Sequence, residues 1–181
     1  MFDPYCGTGT SLVEARLAGM DGIGTDINPT ARMIAFAKTT DYNLKRLTGA
    51  TEKVLSYLEE NLDSISDYSG FSEPENVTWE QLEKWFPQKS IGEVCCAVEK
   101  ISEVGYMRAR LFLQVALSEC LRLVSFQRNG EFKLYRMPSD KRHSFYQPLL
   151  PKLRDRIERN LAGLKRFSET VSPATGVKIR G

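Results

Sequence analysis

The sequence predicts an α/β fold interrupted by a large, mainly helical insertion. Three observations predict it. A glycine turn, Cys6-Gly7-Thr8-Gly9-Thr10, links a short apolar lead-in to a helix-forming run. A second strand–helix unit follows at once, and residues 40–170 then show helical rather than strand periodicity.

Taken in order, residues 2–5 read as the end of a strand, and Ser11 to Leu17 as a helix that stops near Gly19. Gly22 to Ile27 reads as a second strand that finishes on acidic Asp26. Asn28-Pro29 opens the next helix, Thr30 to Lys38, because proline at a first helical turn gives up no needed N–H. Leu44, Leu47, Val54, Leu55, Leu58 and Leu62 then recur at helical spacing, and Ser64 to Asn76 is a polar loop. Thr78 with Gln81 and Ser90 with Glu93 each fit a capping box, which predicts helix starts at both places. The second of these helices, Ile91 to Val104, places Ile91, Val94, Val98 and Ile101 on one side. Met107 to Ser125 is strongly apolar, and Leu149 to Thr170 buries Leu153, Ile157, Leu161, Leu164 and Phe167. Val177 to Gly181 reads as the start of a returning strand. The expected division is therefore 1–39 for the opening of the α/β domain, 40–170 for the helical insertion and 171–181 for the return.

Composition narrows the class. Hydrophobic residues make up 41% and charged residues 27% of the 181, an ordinary soluble balance. No run approaches the apolar length of a membrane span, and no secretory leader pattern is visible. The four cysteines lack CxxC spacing and His143 is the sole histidine, so neither a metal site nor a disulfide framework is expected. A cytoplasmic setting fits. Net charge is only +2, but Glu52 to Glu103 holds 12 acids against 4 bases, while Leu121 to Arg166 holds 12 bases against 4 acids. The basic half offers a surface to a polyanion.

Gly7 and Gly9 permit torsions or close approaches that a Cβ would block, and the helix after them favours a negative group at its N-terminus. Asp26 sits where an acid can accept hydrogen bonds from ribose hydroxyls. Against a dinucleotide stand Leu12, where the G-x-G-x-x-G pattern needs a small residue, and Asp3, which repels a pyrophosphate. S-adenosylmethionine carries an ammonium, a sulfonium and one carboxylate, and so suits this charge pattern better.

The stretch DPYCGTGTSLVEARLAGMDGIGTDINP resembles the cofactor motif of amino-directed DNA methyltransferases, the adenine-N6 and cytosine-N4 enzymes: D-P-F/Y-x-G-x-G-T followed by G-x-D-x-N/D-P. A weaker likeness, Ser125 to Arg136, is to a segment of some DNA modification enzymes with a helical insertion, as found in restriction–modification. The resemblance implies a partial Rossmann-like methyltransferase fold with S-adenosyl-L-methionine as cofactor. It implies that Asp3, Pro4, Tyr5, Cys6, Gly7, Thr8, Gly9 and Thr10 surround the methionine part of that cofactor. Asp26 would then bind the ribose, with Ile27 and Asn28 bordering the adenine. Cys6 is read as a packing residue rather than a nucleophile.

Amine methylation in this family uses D/N/S-P-P-Y/F/W, which accepts hydrogen bonds from the target NH₂ and stacks on a flipped base. The sequence contains no Pro-Pro pair, and neither Asp3-Pro4-Tyr5, Asn28-Pro29-Thr30 nor Ser172-Pro173-Ala174 substitutes for it, so no residue is assigned as catalytic. The expectation is a fragment whose C-terminal catalytic part, or a complementary subunit, is needed as partner. An RNA amine methyltransferase and a non-catalytic nucleic-acid-binding module are the alternatives. The expected DNA contacts are Arg128, Lys133, Tyr135, Arg136, Lys141 and Arg142 around the turn Asn129-Gly130, where cations meet phosphates and aromatics meet bases. Lys152, Arg154, Arg156 and Arg159 alternate with Asp155 and Glu158, the pattern of a solvated helix face.

Overall fold

The computed structural model describes residues 1–128, 135–172 and 174–181. Three parallel strands form a small sheet in the order β1 (Phe2–Asp3), β2 (Gly22–Thr25), β3 (Val177–Arg180). Phe2 pairs with Ile23 and Asp3 with Gly24. Gly22 through Thr25 pair in step with Val177 through Arg180. The returning strand read at the C-terminus therefore closes on β2. The two leading strands are each two residues shorter at their C-terminal ends than the sequence suggests.

Helix α1 (Thr10–Leu17) links β1 to β2, and α2 (Pro29–Thr39) follows β2. The α1–β2 approach is close because the strand offers no side chains at the contact. A Cβ on Gly24 would lie 2.7 Å from Leu12 Cδ1 and 2.9 Å from Cys6 Sγ, and one on Gly22 would lie 3.1 Å from Leu12 Cδ2. Leu12 is accordingly fully buried. Helix α2 starts as its sequence predicts: Asn28 Oδ1 accepts from the backbone N–H of Thr30 at 2.9 Å, with Pro29 at the first position.

Between α2 and β3 the chain is helical: α3 (Leu44–Asn61), α4 (Trp79–Glu83), α5 (Gln88–Ser102), α6 (Met107–Val124), a short α7 (Ser139–Arg142) and α8 (Leu149–Thr170). Helix α6 is central, with α3, α5 and α8 packed round it and α2 joining it to the sheet side. Its Phe112, Leu113, Ala116, Leu117, Cys120 and Val124 share one core with Leu47, Leu58, Ile101, Leu153 and Ile157. Each large side chain fully buried there contributes about 1.5–3 kcal/mol.

Two expectations for α5 need correction. Ser90 and Glu93 are not a capping box. The helix begins earlier, at Gln88 after Pro87, so Ser90 lies inside the first turn with its buried Oγ unpartnered. Glu93 instead turns into the core and accepts from Tyr146 Oη at 2.5 Å and from the N–H of Leu149, the first residue of α8, at 3.1 Å. Val98, expected on the buried side, is 52% exposed and lines an open apolar groove with Ile91, Val94 and Leu121. By contrast, the Thr78–Gln81 box forms in both directions at α4.

The sheet side and the helical side are tied by Arg16. Its guanidinium is 1% exposed, donates to Thr39 O at 2.6 Å and pairs with Asp41 at 2.9 Å, and lies over the Phe167 ring of α8. No described helix is long and apolar enough to cross a membrane.

Candidate functional site

The C-terminal ends of β1 and β2 and the loop between β1 and α1 converge on one point. The loop is folded back by Cys6, whose N–H donates to Thr25 O at 2.9 Å, and by Thr25 Oγ1, which donates to Pro4 O at 2.7 Å. Gly7 and Gly9 both take positive φ, +50° and +78°, a region that L side chains rarely occupy. Their surroundings differ. Nothing lies within 4 Å of a Cβ placed on Gly7, whereas one on Gly9 would meet Ala35 Cβ at 2.7 Å and Ala35 Cα at 2.9 Å. Gly7 therefore opens outward, and Gly9 lets α1 start against α2.

Both carboxylates face this loop. Asp26 Oδ2 accepts from the Gly7 N–H at 2.8 Å, and Oδ1 accepts from the Asn28 N–H at 2.8 Å. Asp3 accepts from the Tyr5 N–H at 3.0 Å and from the Ser11 hydroxyl. Those two bonds favour the ionised form, with the Ser11 hydroxyl contributing most, and hold Asp3 below the usual carboxylate range. Cys6 lies between the acids. Cys6 is buried, and burial first, then the charges of Asp26 and Asp3, push its thiol up.

Around the cradle, Tyr5 is 88% and Ile27 95% exposed, two large side chains with little protein to pack against. No side chain caps the N-terminus of α1, an end that favours negative charge. Lys38 reaches from α2 to Thr8 Oγ1 at 3.4 Å, and Thr10 begins α1 beside it. Arg32 donates from Nη1 to the carbonyls of Asp26, 2.7 Å, and Ile27, 3.3 Å, and so fixes the tip of β2. Asn28 is spent on capping α2. Lys38, Arg32 and Arg16 are not marked by the sequence pattern. Only Arg16 leaves a trace there, since it falls on the buried Leu12–Ala15 side of α1.

The expected nucleic-acid residues are only partly brought together. Gln127 and Arg136 form an antiparallel bridge, and Arg128 N–H donates to Tyr135 O at 2.8 Å; the expected turn at Asn129-Gly130 lies outside the described residues. Lys133 lies outside the described residues. Tyr135 is 49% exposed, and Arg136 donates to Lys84 O at 3.0 Å. Lys141 and Arg142 lie on α7, with the Arg142 guanidinium over the Phe126 ring. On α8, Arg159 pairs with Asp155 on the exposed face as expected, but Arg154 pairs with Glu59 of α3 and Arg156 with Glu119 of α6, so these two tie α8 to its neighbours. Among the described residues no cluster of three or more His, Cys, Asp or Glu gathers to hold a metal.

A small three-stranded parallel sheet with helices, and a glycine loop between two strand-tip acids, is compatible with part of an α/β methyltransferase fold. Comparison with known proteins narrows it. The chain is 31% identical to the type II methyltransferase M.MvaI of Kocuria varians, over 90% of this chain and 36% of that protein. It is 28% identical to the type II methyltransferase M.MjaII of Methanocaldococcus jannaschii, over 59% of this chain and 22% of that protein. The chain thus spans about a third or less of the length of these relatives. No protein-family model and no solved structure matches. These alignments support a DNA methyltransferase family for the chain.

Proposed function

We propose that this chain supplies the S-adenosylmethionine-binding part of a DNA methyltransferase that acts on an exocyclic amine, N6 of adenine or N4 of cytosine. The observation that carries the reading is the outward-opening Gly7 with an aspartate on either side, at the tips of adjacent parallel strands. The residues fit that cofactor. Asp3, kept ionised by Ser11 and Tyr5, presents a negative charge to the cationic methionine part. The open N-terminus of α1 suits its carboxylate. Asp26 would exchange its bond to Gly7 for the ribose hydroxyls, and the exposed Tyr5 and Ile27 would cover apolar cofactor surface. The cofactor, when bound, supplies an activated methyl group to a nucleophilic nitrogen.

The groups that would orient the amine have no counterpart in this sequence, which lacks a Pro-Pro pair. We assign them to another part of the enzyme or to a complementary subunit, a reading supported by the much greater length of the two relatives. Residues 40–170 are then an insertion between the second and third strand units of the methyltransferase fold. The same lack favours, as second reading, a non-catalytic nucleic-acid-binding module that keeps the loop as scaffold.

Calorimetric titration of the chain with S-adenosylmethionine tests the site. Asp26→Ala weakens binding about tenfold or more, as expected when buried hydrogen bonds to a ligand are lost, while unchanged affinity removes Asp26 from the site. In an enzyme completed with its catalytic part, transfer of label to DNA and not to RNA separates the DNA reading from the RNA one.

A further inference from the structure

Next to the paired segments 126–128 and 135–137 lies a shallow depression of about 170 Å³, with the indole of Trp85 and the side chain of Arg122 on its walls and Ser125 and Gln127 in its lining. Trp85 follows α4 and is 37% exposed, which leaves part of the indole open at the depression. Its backbone is fixed: Trp85 O accepts from Phe126 N–H at 2.7 Å, and neighbouring Lys84 O accepts from Arg136. Arg122 lines the depression with the indole; Lys84 is its neighbour in sequence, and Arg136 donates to the Lys84 carbonyl. Of the two acids on α4, Glu80 is engaged by Lys84 at 2.9 Å, and Glu83 accepts from Tyr68 Oη and Gln88 Nε2 at 2.7 Å each. The other tryptophan, Trp79, is stacked on Tyr68 with centroids 4.4 Å apart, whereas Trp85 has no stacked ring among the described residues.

We propose that this depression is a DNA contact site, in which the Trp85 indole stacks on an unpaired base and Arg122, Lys84 and Arg136 take the phosphates on either side. Aromatic faces bind any base, while cations along one strand release counterions. The proposal rests on the DNA methyltransferase reading but uses residues remote from the cofactor loop.

The two tryptophans permit a direct test. The full chain is titrated with a short single-stranded oligodeoxynucleotide at low salt, and intrinsic fluorescence is followed. Binding quenches emission in the wild type and in Trp79→Phe; Trp85→Phe binds without quenching, and Trp85→Ala binds about tenfold more weakly. Arg122→Gln keeps the fold whatever Trp85→Ala does, and lowers the slope of log affinity against log salt by about one. Quenching that survives in Trp85→Phe, or unchanged affinity and salt slope in the Ala and Gln variants, overturns the proposal. So does failure of the wild type to bind, or a preference for the RNA of the same sequence. Titration of the same variants with S-adenosylmethionine keeps the two readings apart: intact donor binding alongside lost DNA discrimination condemns this site alone, and the reverse condemns the cofactor assignment alone.

Discussion

Gly9→Ala and Gly7→Ala remove the same hydrogen from neighbouring positions of one loop, yet they meet different physics. At Gly9 the φ of +78° costs a side-chain-bearing residue about 1–2 kcal/mol. The new methyl would stand 2.7 Å from Ala35 Cβ and 2.9 Å from Ala35 Cα, one of them backbone, and relief of such overpacking typically costs a further ~1–3 kcal/mol. The sum is about 2–5 kcal/mol. At Gly7, φ is +50° with open space around it, so only the torsional cost applies, about 1–2 kcal/mol. In a chain of this size each kcal/mol moves the melting midpoint by roughly 2–4 °C. Urea unfolding followed by circular dichroism, with slopes compared to confirm a shared unfolded state, measures both variants. Ala35→Gly, combined with Gly9→Ala in a double-mutant cycle, recovers about 1 kcal/mol through the removed Cβ–Cβ contact. Should Gly9→Ala destabilise no more than Gly7→Ala, the close start of α1 on α2 is not what demands glycine there.

The remaining predictions concern two carboxylates. Because Asp3 titrates below its ordinary value when folded, its contribution to stability is complete above about pH 4 and is lost as pH falls through the lowered value. Asp3→Asn therefore flattens the acid limb of the melting midpoint against pH, leaving the part due to Asp67 and Glu83, which are lowered likewise; an unchanged limb refutes it. Glu93→Ala strands the Leu149 N–H at the buried start of α8 and lowers unfolding free energy by about 1–3 kcal/mol, measured by denaturant titration. Tyr146→Phe in that background adds little, since its hydroxyl then has no carboxylate to serve; full additivity contradicts the shared network.

What the sequence discloses follows how local each cause is. The start of α2 is legible because Asn28 and Pro29 act within four residues, and so is α4 through Thr78 and Gln81. The spans of α6 and α8 follow from periodicity alone. The false capping box at Ser90 has the right local letters, but the partners that claim Glu93, Tyr146 and Leu149, come more than fifty residues later. The early ends of β1 and β2 depend on cross-strand pairing, which no single segment encodes. At the candidate site, the acids and glycines are visible in the sequence. The neighbours that explain them, Ala35 behind Gly9 and Lys38 beside Thr8, lie on another helix.

Leu12 shows the same point with a consequence for the ligand. The glycine fingerprint of dinucleotide sites wants a small third residue so that helix and strand can approach closely. Here the requirement is met from the opposite side: Gly22 and Gly24 leave β2 bare, and Leu12 fills the space above them. A leucine at that position is thus compatible with the close packing whose loss it suggests, and it discriminates between ligands less than sequence pattern implies. On the proposed cofactor reading the discrimination passes to Asp3. Its carboxylate is held ionised by the Ser11 hydroxyl and the Tyr5 N–H at the mouth of the loop, where a pyrophosphate would bring like charge and a sulfonium or ammonium opposite charge. Neutralising it in Asp3→Asn therefore bears on cofactor choice in a way that enlarging or shrinking residue 12 does not.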